Sequence, residues 1–156
     1  MQIKVAAIGQ RMPRWVSEAW TEYVRRMPSV LNIELREIPA AHRGRNADIG
    51  RARREESAAL LAAVQRDAHV VALEQKGQPW TTEELASRLE GWMGDGRDVC
   101  ILIGGPDGMS RECLQAVGSQ WSLGPLTLPH PLVRVILAEQ LYRAWSIISK
   151  HPYHRG

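Results

Sequence analysis

Apolar residues along the chain fall into short continuous runs separated by segments of helical spacing. The run from Ile3 to Ile8 predicts a buried strand, which Gly9 ends before Pro13 opens a helix with apolar positions at Trp15, Val16, Ala19, Trp20, Tyr23, Val24 and Met27. Trp15, Trp20, Tyr23 and Met27 are expected in the core on this spacing. Ile33, Leu35 and Glu37 alternate with polar neighbours in a second strand, closed by Ile38 and Pro39 before a basic loop from Ala41 to Asn46. A long helix is expected from Ala47 to Gln65. His69 to Glu74 reads as the third strand, Gly77 and Pro79 as a turn, and Thr81 with Glu84 as a capping box for a helix reaching about Met93. Asp98 to Ile103 predicts the fourth strand, Ser110 starts a short helix, and Trp121 to Leu128 reads as a fifth strand. Pro131 suits the first turn of a last helix ending near Ile148, where its missing N–H would have no partner.

Strands alternating with helices in this way predict an α/β fold, a mostly parallel sheet with helices on both faces. One domain spanning 1–156 is expected, because the chain is near the commonest domain length and shows no repeat or linker. Ligands of such sheets bind beyond the carboxyl ends of the strands. Three segments therefore draw attention: 74–79, 104–108 and 122–131.

Composition narrows the chemistry. Cys100 and Cys113 have no spacing for a redox pair, zinc site or disulfide framework, and no metal site is expected. The start of the chain lacks the apolar stretch of a signal peptide, which favours a cytoplasmic location. No formal charge occurs from Cys113 to Val133, yet prolines, glycines, glutamines and His130 exclude a membrane helix there. Such a stretch suits the interior, a ligand site or a subunit interface. The net charge of +3 is modest, but only three of the twenty basic residues are lysines. The arginines that make up the rest suit forked phosphate recognition. Six of them lie between Arg36 and Arg54 against Glu37 and Asp48, and Arg134, Arg143, Lys150 and Arg155 crowd the end of the chain against Glu139.

Gly104, Gly105 and Gly108 match neither a dinucleotide fingerprint nor a P-loop, since the spacing is wrong and no Lys-Ser/Thr pair follows. They permit close backbone approach to a flat ligand, or a plain tight turn. Gly124 and Pro125 end a second segment with free backbone groups and no charged side chain. The two loops could clasp one apolar, hydrogen-bonding ligand.

The ordered set Leu73-Glu74-Gln75-Lys76-Gly77, Ile103-Gly104-Gly105-Pro106-Asp107-Gly108, Ser122-Leu123, Leu126-Thr127-Leu128-Pro129-His130, Arg134, Glu139-Gln140, Tyr142-Arg143-Ala144 and Tyr153-His154-Arg155 resembles the SPOUT class of methyltransferases. Within that class it is similar to the small bacterial members that methylate N3 of a pseudouridine in 23S ribosomal RNA. The resemblance implies a C-terminal trefoil knot, a homodimer, and S-adenosylmethionine held by knot-loop backbone at the subunit interface. It places the cofactor against Leu73, Gly104, Gly105, Leu123, Gly124, Pro125, Leu126, Thr127 and Leu128. Pro125 departs from the class pattern, and any contact needing an N–H at 125 must be absent.

Methyl transfer to an imide nitrogen requires positioning and a group that accepts the N3 proton or stabilises the anion. His130, Arg143, Tyr153, His154 and Arg155 are the catalytic candidates. His130 equally suits a capping role. Arg143 lies nine residues after Arg134, so the two project to nearly opposite sides of a helix; Arg134 is expected to pair with Glu139 and Arg143 to meet substrate. The tail from His151 to Arg155 is either frayed or closes over the site, as the resemblance implies. Arginines 43, 45, 51, 53 and 54 are expected to bind phosphate or to form a solvated face. The competing readings are a non-catalytic RNA-binding module of the ribosome and a SPOUT methyltransferase acting on tRNA or another base.

Overall fold

The computed structural model describes residues 1–44 and 48–156. The chain runs β1 (Gln2–Ile8), α1 (Arg14–Val24), β2 (Asn32–Ile38), α2 (Ile49–Ala62), β3 (His69–Pro79), α3 (Thr82–Asp95), β4 (Val99–Ile103), α4 (Arg111–Ala116), β5 (Ser119–Ser122) and α5 (His130–Ile148). All pairings are parallel, in the order β2-β1-β4-β3-β5. Alternation along the central strands divides the core into two layers. Ile3, Val5 and Ala7 of β1, with Val99, Ile101 and Ile103 of β4, face α1, α3 and α5 through Trp20, Leu85 and Leu137. Ala6, Ile8, Cys100 and Leu102 face α2 and α4 through Leu60 and Cys113. Both thiols are buried, and burial pushes Cys100 up to about 11. Helices thus cover both faces, as the alternation predicted.

Several boundaries differ from the sequence reading. Trp15 is 51% exposed and does not join the core. The buried stripe of α1 runs through Val16 and Trp20, and Trp15 lies one step, about 100° of rotation, away from it. β3 does not turn at Gly77 but continues to Pro79 alongside β5, with an irregularity between Leu73 and Gln78. A Cβ at Gly77 would lie 2.7 Å from the backbone of Gln120, so glycine is what lets the two strands close there. β5 starts earlier and is shorter than expected. It ends at Ser122, where the Ser122 hydroxyl bonds the Gly124 backbone in both directions and Gly124 takes a φ of +125°. The segment from Leu123 to Pro129 is therefore loop rather than strand. α2 starts at Ile49, capped by Asp48, whose side chain accepts from the Arg51 N–H. The capping box of α3 forms as expected, with Thr81 and Glu84 bonded reciprocally at 2.8 and 3.1 Å. No helix among the described residues is long and apolar enough to cross a membrane.

Candidate functional site

A cleft of about 140 Å³ opens beside the irregular middle of β3 and beyond the carboxyl end of β5. Leu73, Leu123, Gly124, Leu126, Thr127 and Leu128 line it with Glu74 and Gln75 of the 74–79 segment, together with Trp121 and Val133, which sequence reasoning did not select. Their only signal was adjacency to the chosen loops. Glu74 is the one ionisable lining residue, so the wall is apolar with a single anionic point. Pro125 takes part through its carbonyl, which accepts from the Gln75 amide at 3.4 Å, while the same amide reaches the Thr127 hydroxyl at 3.3 Å. The absent N–H at 125 is not used. Leu126 is 75% exposed, an apolar side chain left open at the mouth.

Gly104 and Gly105 do not line this cleft but form the neighbouring turn, closed by a bridge between Gly105 and Gly108. Both are closely packed, for a Cβ at Gly104 would lie 3.0 Å from the Gly108 backbone and one at Gly105 2.7 Å from the Glu56 carboxylate. His130, at the start of α5, stands against the turn through the Gly104 backbone. Burial, and then the Arg134 guanidinium, push its pKa below the ordinary histidine value, and a hydrogen bond with the Gly104 backbone opposes them. Arg134 Nε donates to His130 Nε2 at 3.2 Å. A guanidinium can only donate, so Nε2 carries the lone pair and the ring is the neutral Nδ1–H tautomer. His130 is thus committed to Arg134 at one nitrogen and positioned by it.

Arg134 itself is 1% exposed and pairs with Glu37 at 2.7 Å, not with Glu139 as its spacing suggested. It also donates to the Gly9 carbonyl at 2.8 Å. Glu139 belongs to Arg143 instead, one turn further along α5, at 2.5 Å. The i,i+4 geometry favours that pair over the five-residue separation to Arg134.

Arg143, Tyr153 and His154 converge at the far end of α5. The Arg143 guanidinium stands 4.8 Å from the Tyr153 ring centroid, and Tyr153 donates to Glu139 at 3.1 Å. Burial, followed by the Tyr23 hydrogen bond and the Glu139 charge, pushes the Tyr153 phenol up to about 12. His154 accepts from Arg143 at Nδ1, 3.2 Å, which leaves Nε2–H to donate to Glu83 at 3.1 Å. The tail is therefore tied down rather than frayed. Arg155 lies beside this group, exposed and without a carboxylate partner among the described residues. The ring from Arg143 to His154 and the cleft wall at Val133 are separated by ten residues of helix, roughly 15 Å along its axis.

The basic segment differs from the expectation. Arg43 is not free for phosphate, because Glu56 holds it at 2.6 Å and Asp107 at 3.0 Å. Arg45 lies outside the described residues. Arg51 pairs with Glu55, and Arg54 lies 3.9 Å from Asp48, whereas Arg53 is exposed and has no carboxylate partner among the described residues. No cluster of three or more potential metal-ligating side chains occurs among the described residues.

Over residues 1–154 the chain matches the protein family described as "Predicted SPOUT methyltransferase". It is also similar to the "Ribosomal RNA large subunit methyltransferase H" of Ectopseudomonas mendocina (strain ymp), with 53% identity over 155 residues that cover 99% of this chain and 100% of the relative. Proteins of the same name from Stutzerimonas stutzeri (strain A1501) and Pseudomonas aeruginosa (strain LESB58) are each 52% identical over 155 residues, with the same coverage.

Proposed function

Because the chain belongs to the SPOUT methyltransferase family, we propose that it transfers a methyl group from S-adenosylmethionine to N3 of a pseudouridine in 23S ribosomal RNA. The names of the relatives support the large-subunit RNA as substrate, and a ribosomal target favours the cytoplasm. The donor carries its methyl on a sulfonium, so the chemistry asks the protein chiefly for positioning and exclusion of water.

The cleft fits that donor by its chemistry. Leu73, Leu123 and Leu128 offer apolar faces to an adenosyl group, the backbone between Leu123 and Leu128 offers hydrogen bonds, and Glu74 offers the one negative charge to a cationic ligand. Gly104 and Gly105 complete the donor site from the neighbouring turn in this reading, where the neutral ring of His130 adds no repelling charge.

The observation that carries the reading is the separation of the two ends of α5. The polar ring of Arg143, Tyr153 and His154 lies too far along the helix to reach its own cleft, so a second copy supplies it, and the active form is a homodimer with a composite site. The cleft of one protomer is smaller than the roughly 300–1,000 Å³ of pockets that enclose a whole ligand, as expected for half a site. The C-terminal segment then takes the trefoil-knotted path of the class.

At the reacting base, Arg143, fixed by Glu139, stabilises the negative charge that develops on the imide. As the Arg143 N–H turns from His154 Nδ1 to the imide oxygen, the freed Nδ1 accepts the N3 proton, and Glu83 at Nε2–H steadies the positive charge. Tyr153 stays a neutral phenol near neutral pH and orients Glu139, and Arg155 contacts the adjoining phosphate or base edge.

The direct test is incubation of the protein with methyl-labelled S-adenosylmethionine and, separately, ribosomes, free 23S RNA and tRNA, followed by nucleoside mass spectrometry. Label on a pseudouridine of 23S RNA is expected. Label on tRNA alone would mark a different substrate, and RNA binding without any heat of donor binding would mark a binding module.

A further inference from the structure

Behind the 104–108 turn lies a buried polar wall that the mechanism above does not use. Three buried polar residues meet there: Glu56 and Ser57 on α2, and Ser110 at the start of α4. Glu56, 2% exposed, accepts from both terminal nitrogens of Arg43 at 2.6 and 2.7 Å and from the Ala41 N–H at 3.0 Å. Arg43 Nε then reaches across to Asp107, within the turn itself, at 3.0 Å. Ser57 Oγ accepts from the Ser110 N–H at 2.8 Å, and Ser110 caps α4. The wall touches the turn closely enough that a Cβ at Gly105 would meet Glu56 Oε1 at 2.7 Å.

A carboxylate buried this deeply costs much more than an apolar side chain of its size unless its partners are fixed in place. Such a network confers geometry rather than net stability. The Arg43 fork donates four hydrogen bonds, to the Ala41 carbonyl, to both oxygens of Glu56 on α2 and to Asp107 in the turn, and so ties three separate segments together. Arg43 was one of five arginines expected on phosphate or a solvated face, yet every nitrogen of its guanidinium bonds to the protein.

We propose that Arg43, oriented by Glu56, is a positioning residue that holds the 104–108 turn in its donor-binding shape through Asp107. This rests on the reading of that turn as part of the S-adenosylmethionine site. It adds that residues with no place in the cleft set donor affinity, and that the start of the basic loop, at Ala41 and Arg43, is mechanically joined to the donor site.

The test is a double-mutant cycle read by calorimetry with S-adenosylhomocysteine. Asp107→Ala removes the link to the turn and leaves the Arg43–Glu56 pair intact. Arg43→Ala is made together with Glu56→Gln, so that no lone carboxylate is left buried, and the third protein carries all three changes. Each of the first two is expected to weaken binding about tenfold or more, as small displacements of positioning groups do, and the triple variant is expected to be no weaker than the worse of the two. Asp107→Asn, which keeps an acceptor for Nε, should recover most of the loss. RNA affinity and its salt dependence should stay at wild-type values. Three results would each overturn the proposal: unchanged affinity in Asp107→Ala, losses that multiply in the triple variant, or a smaller salt slope in Arg43→Ala/Glu56→Gln, which would return Arg43 to phosphate binding. Failure of the unaltered protein to bind S-adenosylhomocysteine would instead count against the donor reading itself.

Discussion

Two arginines on α5 carry the same charge and have opposite fates, and their surroundings decide which. Arg134 is enclosed, with Glu37, the Gly9 carbonyl and His130 around it, so its replacement leaves those groups without a donor. Arg134→Ala is expected to cost roughly 3–5 kcal/mol, the range for breaking a buried pair, measured as a lower urea midpoint at unchanged slope. Arg143 is partly exposed and touches only Glu139 and the tail. Arg143→Ala should therefore keep S-adenosylhomocysteine affinity and fold while losing turnover; parallel loss of both would remove Arg143 from the substrate side. His130 supplies a pH signature. Its pKa is lowered in the folded protein, by burial first and by Arg134 second, so the native state binds fewer protons than the unfolded chain. The stability this contributes is complete above the unfolded value near 6.5 and is lost as pH falls from there toward the folded value. Unfolding titrations should show that acid limb, and His130→Asn should flatten it.

At the level of elements, the sharpest constraint is the seam between β3 and β5, which forms one wall of the cleft. Gly77→Ala would push a methyl group into the Gln120 backbone, and overpacking of this kind costs about 1–3 kcal/mol. A melting point lowered by several degrees is expected, with weaker donor binding because Trp121 and Leu123 follow directly. This seam also marks where the sequence stopped being legible. The five strands, the helices on both faces and the Thr81 cap could be read from periodicity and turn residues, because each depends on neighbours close in the chain, whereas Leu123 to Leu128 read as strand and is loop. The continuation of β3 through Gly77 could not, since it depends on a strand more than forty residues away. Gly77 reads as a turn residue in isolation and as a close-approach residue only once β5 is beside it. Trp15 misled for a related reason: it fits an apolar helix face, and only the packing of Val16 and Trp20 shows which side that face takes. Arg43 misled because nothing local announces a carboxylate thirteen residues later on another element.

For the molecule as a whole, α5 is the member that divides the work. Its first turn meets the cleft through Val133 and the glycine turn through His130, and its last turns carry Arg143 toward the tail, with buried Leu137 and Leu141 anchoring the span between. A rigid helix keeps those two ends apart, so the composite site proposed above needs two chains arranged with one cleft facing the other's tail. A symmetric pair satisfies this twice over. The arrangement predicts complementation between inactive proteins. A protomer carrying Arg143→Ala retains its cleft, and one carrying a cleft-filling Leu123→Trp retains its tail. Each alone should be inactive. After unfolding and refolding together, random pairing makes half the dimers mixed, and each mixed dimer holds one intact cleft facing one intact tail, so about a quarter of wild-type activity should return. If cleft and tail of a single chain formed the site, mixing would restore nothing, because every site would still contain one defect.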